Sequence, residues 1–397
     1  KAHYPVEFMA SVLSADMDHT DKVVHIIEDV KSMKIPVLKP DINHSDYYFK
    51  ATKEKDAIVY GLGAIKGVGK GAVESLMLER QNDGEFTSIY DFCVRVDLHK
   101  VNKRTLEALI LCGAFDELHP NRQALMQGME GIIKAAMQKN QDEESGQFDL
   151  FAMSSVKQTN EMPIPLPEID DFEENQKLFH ERDMLGHFMS CHPVSLLREW
   201  LSAIIPQTIS SVLAQKPKDI APTDNDENRN RKFSGKPVVI AGLINSVRVR
   251  NENSATVLIS DEEAEIETTF FRESYFANQE KMLKDEIVII TGDAGVDSFS
   301  NRYIIRANQI LTLNEAIATY CSKIGFITST PDYQKFSQQL INLIETHGKG
   351  KARIYIHHEQ NGIVSNIKLG ENFKIRPSWK LLKEAGLLPQ VEKIVIK

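Results

Sequence analysis

The spacing of apolar residues changes once along this chain, and that change decides what it can fold into. In the first half they recur at three and four, as in "YPVEFMASVLSA" and "TDKVVHIIEDVKSMK", the spacing of a helix with one buried face. Beyond the charged stretch "TDNDENRNRKFSG" (223–235) they recur at two, in "KPVVIAGLINSVRVR", "ATVLISD", "AEIETTFF", "EIVIITGDAGV" and "NRYIIRANQIL", the spacing of half-buried strands. A segment written for one period cannot bury its apolar side in the other, so a helical part and a β part are both required. The charged stretch between them reads as a linker rather than core.

Five strands with one short helix, "SYFANQEKML", between the third and fourth match the size and order of a small OB-type barrel. The tail from 320 mixes strands such as "ARIYIHH" and "GIVSNIKL" with helices such as "PDYQKFSQQLINLIETHG". Thr20 is positioned to cap the second N-terminal helix, and 140–175 reads as a polar, acidic, proline-bearing loop. At 397 residues the chain exceeds a single core, so about two to four domains are expected. Its 42% apolar and 26% charged residues are those of an ordinary globular protein. No apolar run approaches the roughly 20 residues that cross a bilayer, and the start is not a signal peptide, so no membrane partner is expected. Cys93, Cys112, Cys191 and Cys321 lie far apart without a CxxC pair; they read as reduced thiols of a cytoplasmic protein, not as a disulfide framework or a zinc site. A net charge of −9 argues against an all-over nucleic-acid surface and leaves local basic patches open, because phosphate contacts are made one at a time. The chain starts at Lys1 already in helical register, which reads as a piece of something longer.

The glycine-rich segment "GLGAIKGVGKGAVESLMLER" (61–80) invites three phosphate-loop readings. A Walker loop needs glycine five positions before Gly69-Lys70, where Ala64 stands, and Ser or Thr where Gly71 stands. A dinucleotide fingerprint from Gly61 needs glycine at Lys66. What remains is an apolar-x-Gly-apolar-Gly hairpin, Ile65-Lys66-Gly67-Val68-Gly69, followed at once by a helix from Lys70. Its glycines permit positive φ and close backbone approach to a phosphate, and the helix N-terminus and two lysines add positive charge. That is the signature of a helix-hairpin-helix, which grips DNA backbone without reading bases; a plain glycine turn between packed helices is the alternative. A second hairpin, "NKRTLEALILCGAFDELHPNRQAL", carries Lys103, Arg104 and Arg122 and could pair with the first. The expected fold class is therefore multidomain α+β: a helical region with tandem helix-hairpin-helix motifs, an OB-type β-barrel, and a small mixed α/β C-terminal domain.

At "KAHYPVEFMASVLSADMDHTDKV", "PDINHSDYYF", "YGLGAIKGVGKGAVESL" and "NKRTLEALILCGAFD", continuing through "LGHFMSCHPV" and the barrel segment, the chain resembles the C-terminal part of the bacterial DNA polymerase III alpha subunits, the C family of replicative DNA polymerases. The resemblance implies a layout: 1–50, the end of the fingers domain; 51–200, a helix-hairpin-helix domain that binds the beta sliding clamp; 201–234, a connector; 235–315, an OB domain; and 320–397, a C-terminal domain that binds the clamp-loader tau subunit. Other holoenzyme subunits are implied partners. The family's palm carboxylates, and the Mg2+ they hold, would lie upstream, so this segment alone is expected to be without catalytic residues or cofactor. "QFDLF" resembles the family's clamp-binding pentapeptide: Gln147 would make polar contacts, Phe148 and Asp149 would set extended geometry, and Leu150 and Phe151 would fill an apolar pocket. A loop folding these aromatics onto its own domain is the alternative.

Other residues draw plainer readings. His187, Cys191 and His192 cluster in "GHFMSCHPV", but Pro193 interrupts and no fourth ligand is apparent, so no metal is expected. The acids of "DEEAE" (261–265) read as a solvated barrel turn. Lys349, Lys351 and Arg353 read as a basic glycine turn, most simply a solvated strand entry. For single-strand binding a barrel combines basic and aromatic residues, and Arg248, Arg250, Phe270, Phe271, Arg272 and Tyr303 are the candidates, although the neighbouring turn is acidic. From pattern alone, a stand-alone nucleic-acid-binding adaptor also fits; a nuclease lacks its carboxylate and His constellation.

Overall fold

The computed structural model describes residues 2–144, 165–216, 233, 235–297, 301–360 and 363–397, which divide into two compact units, Lys1–Cys191 and His192–Lys397. The pentapeptide Gln147–Phe151 and most of the charged stretch fall outside the described residues.

In the first unit α1 (Pro5–Ala15) and α2 (Thr20–Ser32) lead into three two-residue strands, β1 (Val37–Leu38), β2 (Lys50–Ala51) and β3 (Ile58–Val59), in the order β1-β3-β2. Thr20 is the first residue of α2 rather than its cap; His19 holds the cap position, with no side-chain cap bond. Then come α3 (Lys70–Asp83), α4 (Ile89–Arg95), α5 (Lys103–Leu111), α6 (Arg122–Glu144) and α7 (Glu174–Leu185). The expected loop from 140 therefore starts later, because α6 runs on to Glu144. One core holds the unit together, with Leu13, Ile27, Leu62, Leu76, Phe92 and Phe115 buried in it.

In the second unit α8 (Arg198–Ile204) and α9 (Ile209–Leu213) precede five strands: β4 (Gly235–Asn251), β5 (Ser254–Ser260), β6 (Glu265–Phe271), β7 (Ile287–Val296) and β8 (Tyr303–Thr312), with α10 (Glu273–Asn278) between β6 and β7. Residues 192–200, expected with the helical region, pack with this unit instead. The strands close into a barrel in the order β4-β5-β6-β8-β7. Alternation sends Val257, Ile259, Ile266 and Phe270 into the barrel core, as period two requires.

A helix that strand periodicity passes over, α11 (Leu313–Tyr320), follows, its Thr312 and Glu315 forming a reciprocal capping box. Beyond it are β9 (Lys323–Thr328), α12 (Tyr333–His347), β10 (Lys349–Gln360), β11 (Ile363–Lys368), α13 (Trp379–Gly386) and β12 (Lys393–Ile396). Their sheet has the order β11-β10-β9-β12, with β9 and β10 parallel. Ile317, Phe336, Leu340 and Leu381 from the helices pack against Ile324, Phe326, Ile354 and Ile394 of one sheet face. Lys349, Lys351 and Arg353 lie on β10 itself, not in a glycine turn.

Candidate nucleic-acid interface

The first hairpin is built as its glycines suggest, with a shorter leading helix. Leu62–Ala64 make a single 3-10 turn, and the chain reverses where Val68 N donates to Ile65 O at 3.1 Å. Gly67 sits at φ +87, the region that a side chain disfavours. Val68 is buried and anchors the loop, whereas Lys66, Gly67, Gly69 and Lys70 are exposed. Gly69 is the N-cap of α3 and has no side chain to cap it; Ala72 N donates to Gly69 O at 3.1 Å, and the N–H groups of Lys70 and Gly71 keep their capacity for an anionic acceptor.

The start of α5 packs beside this loop. Asn102 caps α5 by accepting from Thr105 N at 3.0 Å, and Thr105 Oγ1 donates to Gly67 O at 3.2 Å. A methyl group on Gly67 would lie 3.8 Å from Arg104 Nε, and one on Gly71 would lie 3.9 Å from Lys100 Cδ. Lys66, Lys70, Lys103 and Arg104 are thus gathered with Lys100, which the sequence reading passed over because it sits in a turn outside both motifs. Lys70 faces Glu74 at 3.7 Å, Lys100 faces Asp97 at 3.4 Å, and Lys103 bonds Glu130 at 2.5 Å. Such exposed pairs are weak, worth about 0–1 kcal/mol, and can be exchanged for phosphates. Among the described residues Lys66 and Arg104 form no ion pair.

Arg122 does not join this cluster. It is 3% exposed, donates to both Asp116 carboxylate oxygens at 2.8 and 2.6 Å, and reaches Glu181 Oε1 at 3.1 Å. Glu181, 1% exposed, also accepts from Ser190 N at 2.9 Å and Ser190 Oγ at 2.7 Å. The guanidinium ties α6 to α7, so it is a structural residue and not a phosphate contact.

On the barrel, Arg248, Thr256, Thr269 and Arg306 form one cross-strand row on the outer face. Arg306, passed over in the sequence, lies between two aromatics, its guanidinium carbon 4.0 Å from the Phe233 ring centre and 5.9 Å from that of Phe271. Phe233 belongs to the charged stretch read as pure linker. Phe271 is 45% exposed, whereas Phe270 is 0% exposed and fills the interior; of the two neighbours only Phe271 can meet a ligand. Arg250 and Arg272 are exposed, whereas Tyr303, at the start of β8, has the parity of Ile305 and packs against the barrel core rather than lying on the face of Arg306. The acidic turn is not a solvated face throughout. Asp261, 5% exposed, accepts from Ile209 N at 2.9 Å and from Glu263 N and Ala264 N at 3.0 Å, and Glu262 is held by Arg198.

His187 and His192 are both buried enough that desolvation pushes their pKa values down to about 4. His192 Nδ1 accepts from Val194 N at 3.2 Å, which is the work of a cap. Among the described residues no group of three or more His, Cys, Asp or Glu is placed to hold a metal ion.

Residues 34–125 match the helix-hairpin-helix motif family, and residues 238–313 match the family described as OB-fold nucleic acid binding domain. Across 97% of its length the chain is 33% identical to the DNA polymerase III subunit alpha of Vibrio cholerae, covering 32% of that protein. Across 100% of its length it is 35% identical to the DNA polymerase III subunit alpha of Xylella fastidiosa, covering 33% of it. Along nearly all of its length the chain is similar to DNA polymerase III alpha subunits. It spans about a third of the length of the curated relatives it matches. Both matched families fall on the two surfaces just described: the paired loops around Gly67 lie within 34–125, and the Arg248–Arg306 row lies within 238–313.

Proposed function

We propose that this chain is the C-terminal, DNA-gripping and partner-docking part of a DNA-directed DNA polymerase subunit of the replicative kind, working in the cytoplasm. The hairpin of Lys66, Gly67, Val68, Gly69 and Lys70, with Lys103 and Arg104 beside it, holds duplex backbone. The barrel face at Arg248, Arg250, Phe271 and Arg272, joined by Arg306, holds single strand. Gln147–Phe151 docks the beta sliding clamp, and 320–397 docks the clamp-loader tau subunit among the other holoenzyme subunits. The polymerase chemistry, with its carboxylates and Mg2+, is assigned to parts of the subunit outside this segment.

The observation that carries the reading is the exposed, uncapped start of α3 ringed by cations, in a chain that aligns along its length with polymerase III alpha subunits. Backbone amides and lysines at a glycine turn bind phosphate without sequence preference, which suits an enzyme that must pass over every sequence. Burying Leu150 and Phe151 in a clamp pocket is worth about 1.5–3 kcal/mol each, so removing both takes away about 3–6 kcal/mol of contact, set against the cost of ordering the loop. Titration calorimetry of the clamp against Leu150→Ala/Phe151→Ala tests this. A loss of roughly 100-fold with an unchanged melting temperature is expected, and unchanged clamp affinity would remove the docking claim.

A further inference from the structure

The C-terminal sheet carries its helices on one face. The other face is open and predominantly basic. One cross-strand row on it runs Lys368, Tyr355, Gly325, Val395, and all four residues are exposed or half-buried. Four cations share this face, Lys323, Arg353, Lys368 and Lys393, with Glu359 the acid on the same side of β10. Arg353 meets Glu371 at 3.4 Å and Lys393 meets Glu199 at 2.6 Å, both exposed pairs. Lys323 and Lys368 form no ion pair among the described residues, and Lys323 Nζ lies 5.9 Å from the Tyr355 ring centre.

Gly325 stands out in this row. It lies inside a central strand, where glycine weakens the sheet, yet the fold makes no demand for it. Its φ is not positive, and an added methyl group would meet only ordinary contacts, 3.6 Å to Val395 O and 3.9 Å to Val395 Cβ. The missing side chain leaves a bare floor beside an aromatic ring, with unpaired ammonium groups around it. With no bulge or bend at this position, such a glycine leaves room for close approach by a ligand or another backbone. An acidic peptide or the backbone of a duplex would use the cations but not the ring or the floor. A flat base with a phosphate on either side uses all three features.

We propose that the open face of the β9–β12 sheet binds single-stranded nucleic acid, one base lying on Tyr355 over Gly325 and its flanking phosphates meeting Lys323 and Lys368. The inference rests on the reading that this chain handles DNA, and it adds a second strand-binding surface beside the barrel.

The test uses the whole chain and an oligodeoxyuridylate carrying 5-iodouracil. Irradiation should cross-link the strand to Tyr355, located by peptide mass spectrometry. Tyr355→Ala should weaken strand binding about tenfold, the loss of one stacked base, while Tyr355→Phe retains it. Lys368→Glu, at an exposed position that cannot disturb the core, should weaken it as well. Duplex affinity, measured on the same samples, should not change in any of the three. No adduct at Tyr355 together with unchanged strand affinity in Tyr355→Ala and Lys368→Glu, in a chain that still binds duplex, overturns this inference alone. A chain that binds neither strand nor duplex overturns the functional reading with it. Equal binding of oligoglutamate to wild type and Tyr355→Ala, with displacement of the oligonucleotide, would make the face a docking surface for an acidic protein and overturn the proposal.

Discussion

Replacing Arg122 with methionine should cost stability and leave DNA binding alone. The substitution keeps most of the side-chain volume and removes the charge between α6 and α7. Asp116, a third exposed at its side chain, can rehydrate; Glu181, almost fully buried, is left with only Ser190 N and Oγ as donors. Removing one partner of a buried pair costs about 3–5 kcal/mol, and the escape open to Asp116 points to the lower end, about 3 kcal/mol. In a unit of this size that lowers the melting temperature by roughly 6–12 °C. Both tryptophans, Trp200 and Trp379, lie in the other unit, so their fluorescence is blind to this loss. Far-ultraviolet circular dichroism, which follows the helices of 1–191, is the appropriate probe. Adding Glu181→Met should restore much of the stability, because an apolar pair replaces an orphaned charge. Unchanged melting with weakened duplex binding would refute the reasoning and return Arg122 to the DNA surface.

Gly67→Ala should cost about 1–2 kcal/mol by chemical denaturation, since alanine is strained at φ +87, and should weaken duplex binding. Gly69→Ala, at φ −85 with open space around it, should cost less, about 0.5–1 kcal/mol for the poorer N-cap, and should leave duplex binding unchanged. His187 sets an acid limit on stability. Burial holds its pKa at about 4 against an ordinary 6.5, so below 6.5 the unfolded chain takes up a proton that the folded chain refuses. Its contribution is complete above pH 6.5 and is lost as pH falls toward 4, about 3 kcal/mol at roughly 1.4 per unit. Urea midpoints across this range should fall steeply for wild type and less for His187→Leu.

The barrel was legible because its strands are written with a two-residue period, and closure of β4 on β7 follows from five such strands of the right length. The same parity contains the answer at Phe270 and Phe271: Ile266, Thr268 and Phe270 share a face, and only one face can be inside. Arg122 was not legible. Its partners are 6 and 59 residues away, and nothing in a basic residue next to a hairpin says whether its charge is met by a phosphate or by a buried carboxylate. Lys100 and Arg306 were missed for a related reason: Lys100 reaches the hairpin through the packing of the Asp97–Val101 turn against α3, and Arg306 gains its aromatic neighbours from a stretch that charge alone had marked as linker. Thr312-x-x-Glu315, by contrast, is a local capping signal for α11 present in the sequence, and the strand period running up to it is why it was passed over.

The central claim is that the glycine hairpin holds duplex DNA through its backbone. It is tested most directly by titrating this chain and its Lys66→Glu/Lys70→Glu variant with duplexes of unrelated sequence at several salt concentrations. The account predicts weaker binding of the variant to every sequence, with the slope of log K against log salt flattened by about two, one for each lost phosphate contact. Identical affinities and slopes for the variant and the wild type would contradict it.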